Sequence, residues 1–457
     1  MNVAIAQDLK EFMYIQNNIQ NKQVYWIPLD LDVYLHCYKN KINFIDPINL
    51  IDSKVHKEAI LSLSKIYKQT KKLNLKSQIL SQEISLLIRN YLGSVIFIYE
   101  ILKKIKNLNV IYLSGWEIYE GPNIDKNKKK NYFISKVVKY LFKEKKIITV
   151  TNFKKKIKQK LNYNYNYSYT FSNLKLSDKK NILITNRFYN FKRLIYFFIK
   201  NPKIKCCYPK FPEDESNFKD HLLSFFGIKQ IKFVKVHNTE KNHYLKFLNN
   251  KINFRYKSKN FSNLINERIF QLKPFFIDQE KRSIAINQML TNYKFDLIVS
   301  NVNRKTSGLI LENSIKLGLK SLNISHGTIS NFYNKYDKIY KKNILDSVIN
   351  KNSYFIASQS KIAAEGLKRF KIKKKQIIKT GNLIFSESKN NIKNKKTILY
   401  AVTNKNFFNL QFYGMEQFYE FFLNLKFLNS ISYKYNLNIL VQIHPAYHFL
   451  KSKLSKT

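Results

Sequence analysis

The sequence predicts an α/β protein made of two doubly wound domains that face a cleft. Three observations carry that reading. Short apolar runs rich in β-branched and aromatic residues recur along the chain, helical-period stretches separate them, and polar residues gather where the runs end. At 457 residues and 44% hydrophobic composition the chain can bury a large core, which excludes wholesale disorder.

Gln23–Leu29 (QVYWIPL) gives the first strand signal, followed by Asp30, Asp32 and a helical stretch. Lys41–Ile45 (KINFI) repeats the signal and stops at Asp46-Pro47. Ile and Leu at helical spacing fill 52–92, and Asn109–Leu113 (NVIYL) is a strand closed by Ser114-Gly115-Trp116. Tyr119–Lys130 reads as an exposed loop and Lys146–Thr151 as a strand. Asn162–Tyr169 (NYNYNYSY) alternates polar and aromatic residues. We read it as a solvent-exposed loop built from A/T-rich codons rather than a nucleic-acid stacking surface. Lys180–Thr185 (KNILIT) is a buried strand, whereas 201–242 reads as irregular to helical.

From Asn287 the pattern sharpens. Phe295–Val299 (FDLIV) ends at Ser300-Asn301, Leu309–Leu317 is helical with Gly318 as its cap, and Lys320–Ile324 runs into Ser325-His326-Gly327-Thr328. Strand, helix and strand make a βαβ unit with polar residues at the carboxyl ends. A crossing segment, Asn331–Asn343, leads to strands at Ser353–Ala357 and Gln376–Thr380, the second ending in Gly381-Asn382, with a helix at Lys361–Phe370 between them. Thr397–Val402 (TILYAV) precedes Thr403-Asn404, Gln411–Lys426 is an aromatic helix, and Asn438–Ile443 (NILVQI) ends at His444-Pro445. The expected domains are 1–335 and 345–457, hinged near 330–350.

Lys plus Arg number 81 against 30 Asp plus Glu, a formal +51. Lys, Asn, Ile, Tyr and Phe are the residues of A/T-rich codons, so the charge divides between genome composition and attraction to anionic lipid heads or substrates. The runs Lys126–Lys130 and Lys371–Lys375 leave peripheral contact with an anionic membrane open; solvated loops are the alternative. With 10 Gly and 8 Pro, collagen-like and linker readings are excluded. Three cysteines, Cys37, Cys206 and Cys207, without a CxxC pair fit a reduced, cytoplasmic chain. No basic-then-apolar leader is visible, and Ser94–Leu102 and Leu194–Ile199 fall short of the ~18 apolar residues of a span, so no crossing is expected.

Three strand-end features carry chemistry. A neutral imidazole at His326 can accept a proton from a hydroxyl, with Gly327 admitting backbone N–H groups to an anion. Gly381 permits a tight turn beside the hydrogen-bonding Asn382. His444, stiffened by Pro445, can donate to a phosphate oxygen. Asp30/Asp32 could hold Mg²⁺ but reads better as a helix start. No motif calls for a cofactor or metal, and P-loop and dinucleotide signatures are absent.

The stretch FDLIVSNVNRKTSGLILENSIKLGLKSLNISHGT resembles the segment before the cleft in GT-B bacterial surface-polysaccharide transferases. SQSKIAAEGLKRFKIKKKQIIKTGNLIF resembles their TGNP-containing segment, TILYAV their ILYAPT strand and LVQIHPAYHF their HP motif. These enzymes include CDP-glycerol glycerophosphotransferases, capsule polysaccharide glycosyltransferases and polysialyltransferase-like proteins. The likeness covers residues 290–448. It implies a GT-B-like fold with an acceptor-side domain over 1–335 and a nucleotide-donor domain over 345–457. It also implies transfer of a sugar or polyol phosphate from a nucleotide-activated donor to a growing glycan or lipid-linked acceptor at the inner face of the plasma membrane. His326 would be the acceptor-side base, flanked by Ser325, Gly327 and Thr328. His444 with Pro445 would meet the donor phosphate, and Gly381, Asn382 and Thr403 the nucleotide. Leu383 departs from the pattern, standing where the family often has Pro. Only Ala446–Thr457 follow the HP pair, so the donor domain is expected to be incomplete. The rivals are a non-hydrolysing nucleotide-sugar epimerase of the same fold, a basic nucleic-acid-binding protein, and a non-catalytic truncated relative.

Overall fold

The computed structural model describes residues 1–19, 22–50, 53–70, 73, 77–119, 131–150, 166–174, 178–186, 192–213, 223–237, 251–324, 331–381, 396–401 and 414–442. The chain opens with a four-stranded parallel sheet. Its elements are β1 (Asn2–Ala6), α1 (Leu9–Asn18), β2 (Tyr25–Pro28), α2 (Leu31–Lys39), α3 (Pro47–Leu50), α4 (Ser53–Ser64), α5 (Ile66–Thr70), α6 (Gln78–Lys104), β3 (Val110–Leu113), the ribbon β4 (Ile118–Tyr119) and β5 (Asn131–Tyr132), α7 (Ile134–Leu141) and β6 (Lys146–Thr149). The strands run in the order β2-β1-β3-β6. α2 starts at Asp30, whose carboxylate accepts from the Asp32 N–H at 3.3 Å, so the acidic pair opens a helix. The KINFI segment contributes one bridge, Phe44 to Trp26, rather than a strand.

α6 is long and apolar enough to cross a membrane by length and composition, and 89% of its most apolar window is buried inside this fold. Ser94–Leu102 is part of this 27-residue core helix. Apolar residues on all its faces are matched by cover on all sides, from α3, α4, α5 and α7 and from three helices of the second sheet.

That second sheet has eight strands. In chain order come β7 (Tyr167–Phe171), β8 (Lys180–Ile184), α8 (Lys192–Lys200), β9 (Ile204–Lys210), β10 (Lys229–His237), the ribbon β11 (Arg255–Tyr256) and β12 (Lys259–Asn260), and α9 (Ser262–Asn292). There follow β13 (Leu297–Ser300), α10 (Lys305–Lys316), β14 (Ser321–Ile324), α11 (Lys335–Val348), β15 (Phe355–Ser358), α12 (Lys361–Arg369) and β16 (Ile377–Lys379). The order is β16-β15-β14-β13-β8-β9-β10-β7, parallel except for β7. A last βαβ unit pairs β17 (Thr397–Ala401) with β18 (Asn438–Gln442) around α13 (Gly414–Tyr435).

The α/β class and the two doubly wound parallel sheets stand as the sequence predicts. The sheets divide elsewhere than expected: β14 and β15, on either side of 330–350, are hydrogen-bonded neighbours, and the changes of sheet fall between β6 and β7 and between β16 and β17. The region 201–242 holds the parallel strands β9 and β10 rather than irregular or helical chain. Along the sheet, Leu183, Cys207, Ile231 and Phe233 face the large core with α6 and α9. Ile182, Ile184, Cys206 and Tyr208 face a smaller outer core with Ile195, Phe198, Leu223 and Ile228.

Two local features confirm how the sequence shapes α10. Gly318, at φ +70°, follows the helix, and the N–H groups of Leu319 and Gly318 donate to Ser314 O (2.9 Å) and Ile315 O (3.1 Å). Gly308 lets the same helix pass close to α6 and to its own entry loop, where a Cβ would lie 2.9 Å from Ile79 Cγ2 and 2.9 Å from the Asn303 carbonyl carbon.

Candidate functional site

In the eight-stranded sheet β8, β9 and β10 run outward in one direction and β13 to β16 in the other, so the strand order switches between β8 and β13. In open α/β sheets ligands lie outside the carboxyl ends at such a point. The chain there is polar. Thr185 Oγ1 donates to Ser300 Oγ at 2.9 Å and Asn186 Nδ2 to Asn301 Oδ1 at 2.7 Å, linking the two strand ends. Behind them lies an amide network. Asn323 Nδ2 donates to Ser300 O (3.3 Å) and Val348 O (3.2 Å), Asn350 N to Asn323 Oδ1 (2.7 Å), Asn350 Nδ2 to Asn303 Oδ1 (3.2 Å), and Asn303 Nδ2 to Asp346 O (2.9 Å). These buried amides fix the 301–304 loop, because losing any one leaves a desolvated polar group unpaired.

That loop borders two adjoining cavities of about 190 and 250 Å³, which share Gln82, Asn303, Lys342 and Asp346. The smaller is lined by the cations Lys68, Arg89, Arg304 and Lys342, the last paired with Asp346 at 2.5 Å. Its other acid, Glu83, is buried, and burial pushes its carboxyl up against the lowering pull of Lys305, Arg304 and the Lys305 backbone N–H. The larger cavity exposes Glu312, whose carboxylate takes the Ser77 hydroxyl and the N–H groups of Gln78 (2.8 Å) and Ile79 (3.3 Å). An α10 side chain thus caps α6, with its negative charge at the positive helix end.

Next to the switch point, Arg282 of α9 is held by Asp278 (2.8 Å), by Glu213 and by Thr306 Oγ1 (3.3 Å). Tyr167 and Tyr169 donate their hydroxyls to Asp278 at 2.7 and 2.6 Å. The exposed-loop reading of NYNYNYSY therefore fails for these two residues, while 162–165 lie outside the described residues. Burial raises the Asp278 carboxyl, but Arg282 and the two tyrosines outweigh it and hold it below its ordinary value.

The first sheet switches order between β1 and β3. There Ser114 donates to Glu11, Gln7 N to Glu11 Oε2 (2.6 Å), and Tyr132 to Asp8 Oδ2 (2.8 Å). The half-buried Trp116 packs on Tyr14 and Tyr132 at 4.9 and 5.0 Å between ring centres, with Lys10 5.8 Å from its ring.

Of the residues singled out from the sequence, Ser325, His326, Gly327, Thr328, Asn382, Thr403, His444 and Pro445 lie outside the described residues, as does Lys126–Lys130. Gly381 is exposed with φ +68°, two residues past β16. Among the described residues no His, Cys, Asp and Glu group could hold a metal. Burial pushes the Cys37 and Cys206 thiols up to about 12, which removes them as nucleophiles. Sequence reasoning named Ser300-Asn301 only as a strand terminus. It missed Asn303, Glu83 and Glu312, although the polar run SNVN directly after FDLIV was a usable signal.

Among solved structures the chain is similar to UDP-GlcNAc 2-epimerase from Methanocaldococcus jannaschii, at 12% identity over 61% of this chain and 68% of that one, with a TM-score of 0.31. It is also similar to UDP-N-acetylglucosamine 2-epimerase from Rickettsia bellii, at 13% identity, 61% and 64% coverage and a TM-score of 0.29. No family model and no curated protein matches the chain.

Proposed function

We propose that the chain is an enzyme acting on nucleotide-activated sugars, and within that class a transferase that passes a sugar or polyol phosphate to a surface-polysaccharide acceptor. The observation that supports it is where the motif-bearing strands end. β14 stops at Ile324, β16 at Lys379, β17 at Ala401 and β18 at Gln442, so Ser325-His326-Gly327-Thr328, Gly381-Asn382, Thr403 and His444-Pro445 each follow a parallel strand within two residues. The amide floor at the β8/β13 switch point and the cations lining the smaller cavity add groups suited to ligand hydroxyls and phosphates. In this reading His326 takes the acceptor proton and His444 offsets charge on the leaving nucleotide. Ser325, Gly327 and Thr328 surround the acceptor, and Gly381, Asn382, Thr403 and Pro445 the donor. The nucleotide sugar is substrate.

A second reading is epimerisation of the nucleotide sugar without an acceptor, as in the two epimerases named above. One experiment separates the two. Purified protein is incubated with UDP-, CDP- and GDP-sugars, with and without a polysaccharide or lipid-linked acceptor, and the sugar nucleotides are followed by NMR. Nucleotide release that needs acceptor, and that falls ~10²-fold in His326→Ala and His444→Ala, supports transfer. A new sugar epimer formed without acceptor supports the second reading, and no turnover of any sugar nucleotide contradicts both.

A further inference from the structure

The outward face of α8 carries aromatic residues where a solvent-facing helix normally carries polar ones. Ile195 and Phe198 point into the outer core, while Tyr196 and Phe197 are 57% and 53% exposed. A second pair stands on the same side. The steps from β8 to β9 and from β9 to β10 go the same way along the sheet, so right-handed crossovers put both connections on one face. Leu223 and Ile228 accordingly join the core of Ile195 and Phe198, and between them Phe225 and Phe226 are 83% and 48% exposed. β10 extends the patch. Ile231 and Phe233 face the large core, so the alternating Val234 and Val236, 55% and 38% exposed, lie on the outer face.

The surround is cationic. Lys200 Nζ sits 4.5 Å from the Tyr196 ring centre, and Lys203 and Lys229 are exposed. Neither 192–203 nor 223–229 contains an Asp or Glu, so these two segments are apolar at their centre and carry only positive charge. That pattern complements a surface that is anionic outside and apolar a few ångströms down, and exposed apolar residues gathered on one face of a sheet mark an interaction site.

We propose that this face docks the protein on an anionic lipid bilayer. Tyr196, Phe197, Phe225 and Phe226 enter at headgroup depth, and Lys200, Lys203 and Lys229 meet the lipid phosphates. The inference rests on this face alone and stands or falls separately from the nucleotide-sugar reading.

The test is co-sedimentation of the full chain with vesicles of phosphatidylcholine alone or mixed with phosphatidylglycerol. The wild type is expected to sediment with the mixed vesicles only. Phe197→Ser with Phe225→Ser lowers its partition coefficient by about tenfold or more, and Lys200→Gln with Lys229→Gln lowers it by about fivefold for each cation removed. Both pairs are exposed side chains, and circular dichroism checks that each variant keeps the wild-type fold. Three results overturn the proposal: no binding by the wild type, equal partitioning of the aromatic variant (attraction by diffuse charge alone), and a dimer in sedimentation velocity that the aromatic variant abolishes, which assigns the face to a second copy of the chain.

Discussion

Glu312→Ala should release the amino end of α6. The carboxylate accepts the Ser77 hydroxyl and two backbone N–H groups, Gln78 at 2.8 Å and Ile79 at 3.3 Å. Ser77 and Ile79 are buried, and water from the adjoining cavity replaces only part of what their donors lose, which sets the cost at the low end of the range. At about 1–3 kcal/mol for each buried donor left unpaired, plus about 0.5–1 kcal/mol of lost charge–dipole attraction, the change costs roughly 3 kcal/mol. Lys316, 3.2 Å from the carboxylate but 56% exposed, adds little. A chain with several sheets need not unfold in one step, so the readout is amide hydrogen exchange in peptides covering 77–86. Exchange there should quicken about 10²-fold, at 1.4 kcal/mol per factor of ten. Glu312→Gln keeps an acceptor oxygen and should fall between the two. Exchange in Glu312→Ala within threefold of wild type, an allowance of well under 1 kcal/mol, would refute the capping role.

Two further substitutions probe the same junction. Because burial holds the Glu83 carboxyl above its ordinary value of 4.5, the folded state binds that proton more tightly than the unfolded one. The group therefore favours folding below that value, and the contribution is lost as pH rises through the folded-state value; Glu83→Gln should raise the melting temperature at pH 7 relative to wild type but not at pH 4, and a lower melting temperature at pH 7 contradicts it. Gly308→Ala drives a methyl to 2.9 Å from both Ile79 Cγ2 and the Asn303 carbonyl carbon, and overpacking there should cost about 1–3 kcal/mol, seen as a lower urea midpoint; an unchanged midpoint means the helices can part freely.

Much of the sheet architecture is legible because buried parallel strands are continuous apolar runs. KNILI and FDLIV read as strands for that reason, and both lie at the sheet centre. β10 (KQIKFVKVH) escaped because Lys229, Lys232 and Lys235 interrupt the run, while only Ile231 and Phe233 are buried. Tyr167 and Tyr169 looked like codon-biased loop because their partner Asp278 lies 111 and 109 residues away. Glu312 was invisible for the same reason, as its contact with Ser77 spans 235 residues. α9 hides four consecutive buried polar residues, Gln279 to Arg282, and no periodicity argument assigns such residues to a core. The His326 and His444 motifs rest on the strand pattern and local composition alone, the kind of signal that short range preserves.

Isothermal titration of the protein with uridine, cytidine and guanosine diphosphates bears most directly on the carboxyl edge of the eight-stranded sheet as a nucleotide-sugar site. One of the three should bind, Arg304→Ala should weaken it about tenfold through loss of a charge-assisted contact, and Lys203→Gln on the far face should leave it unchanged. No binding of any diphosphate, or equal affinity in Arg304→Ala, would contradict the assignment.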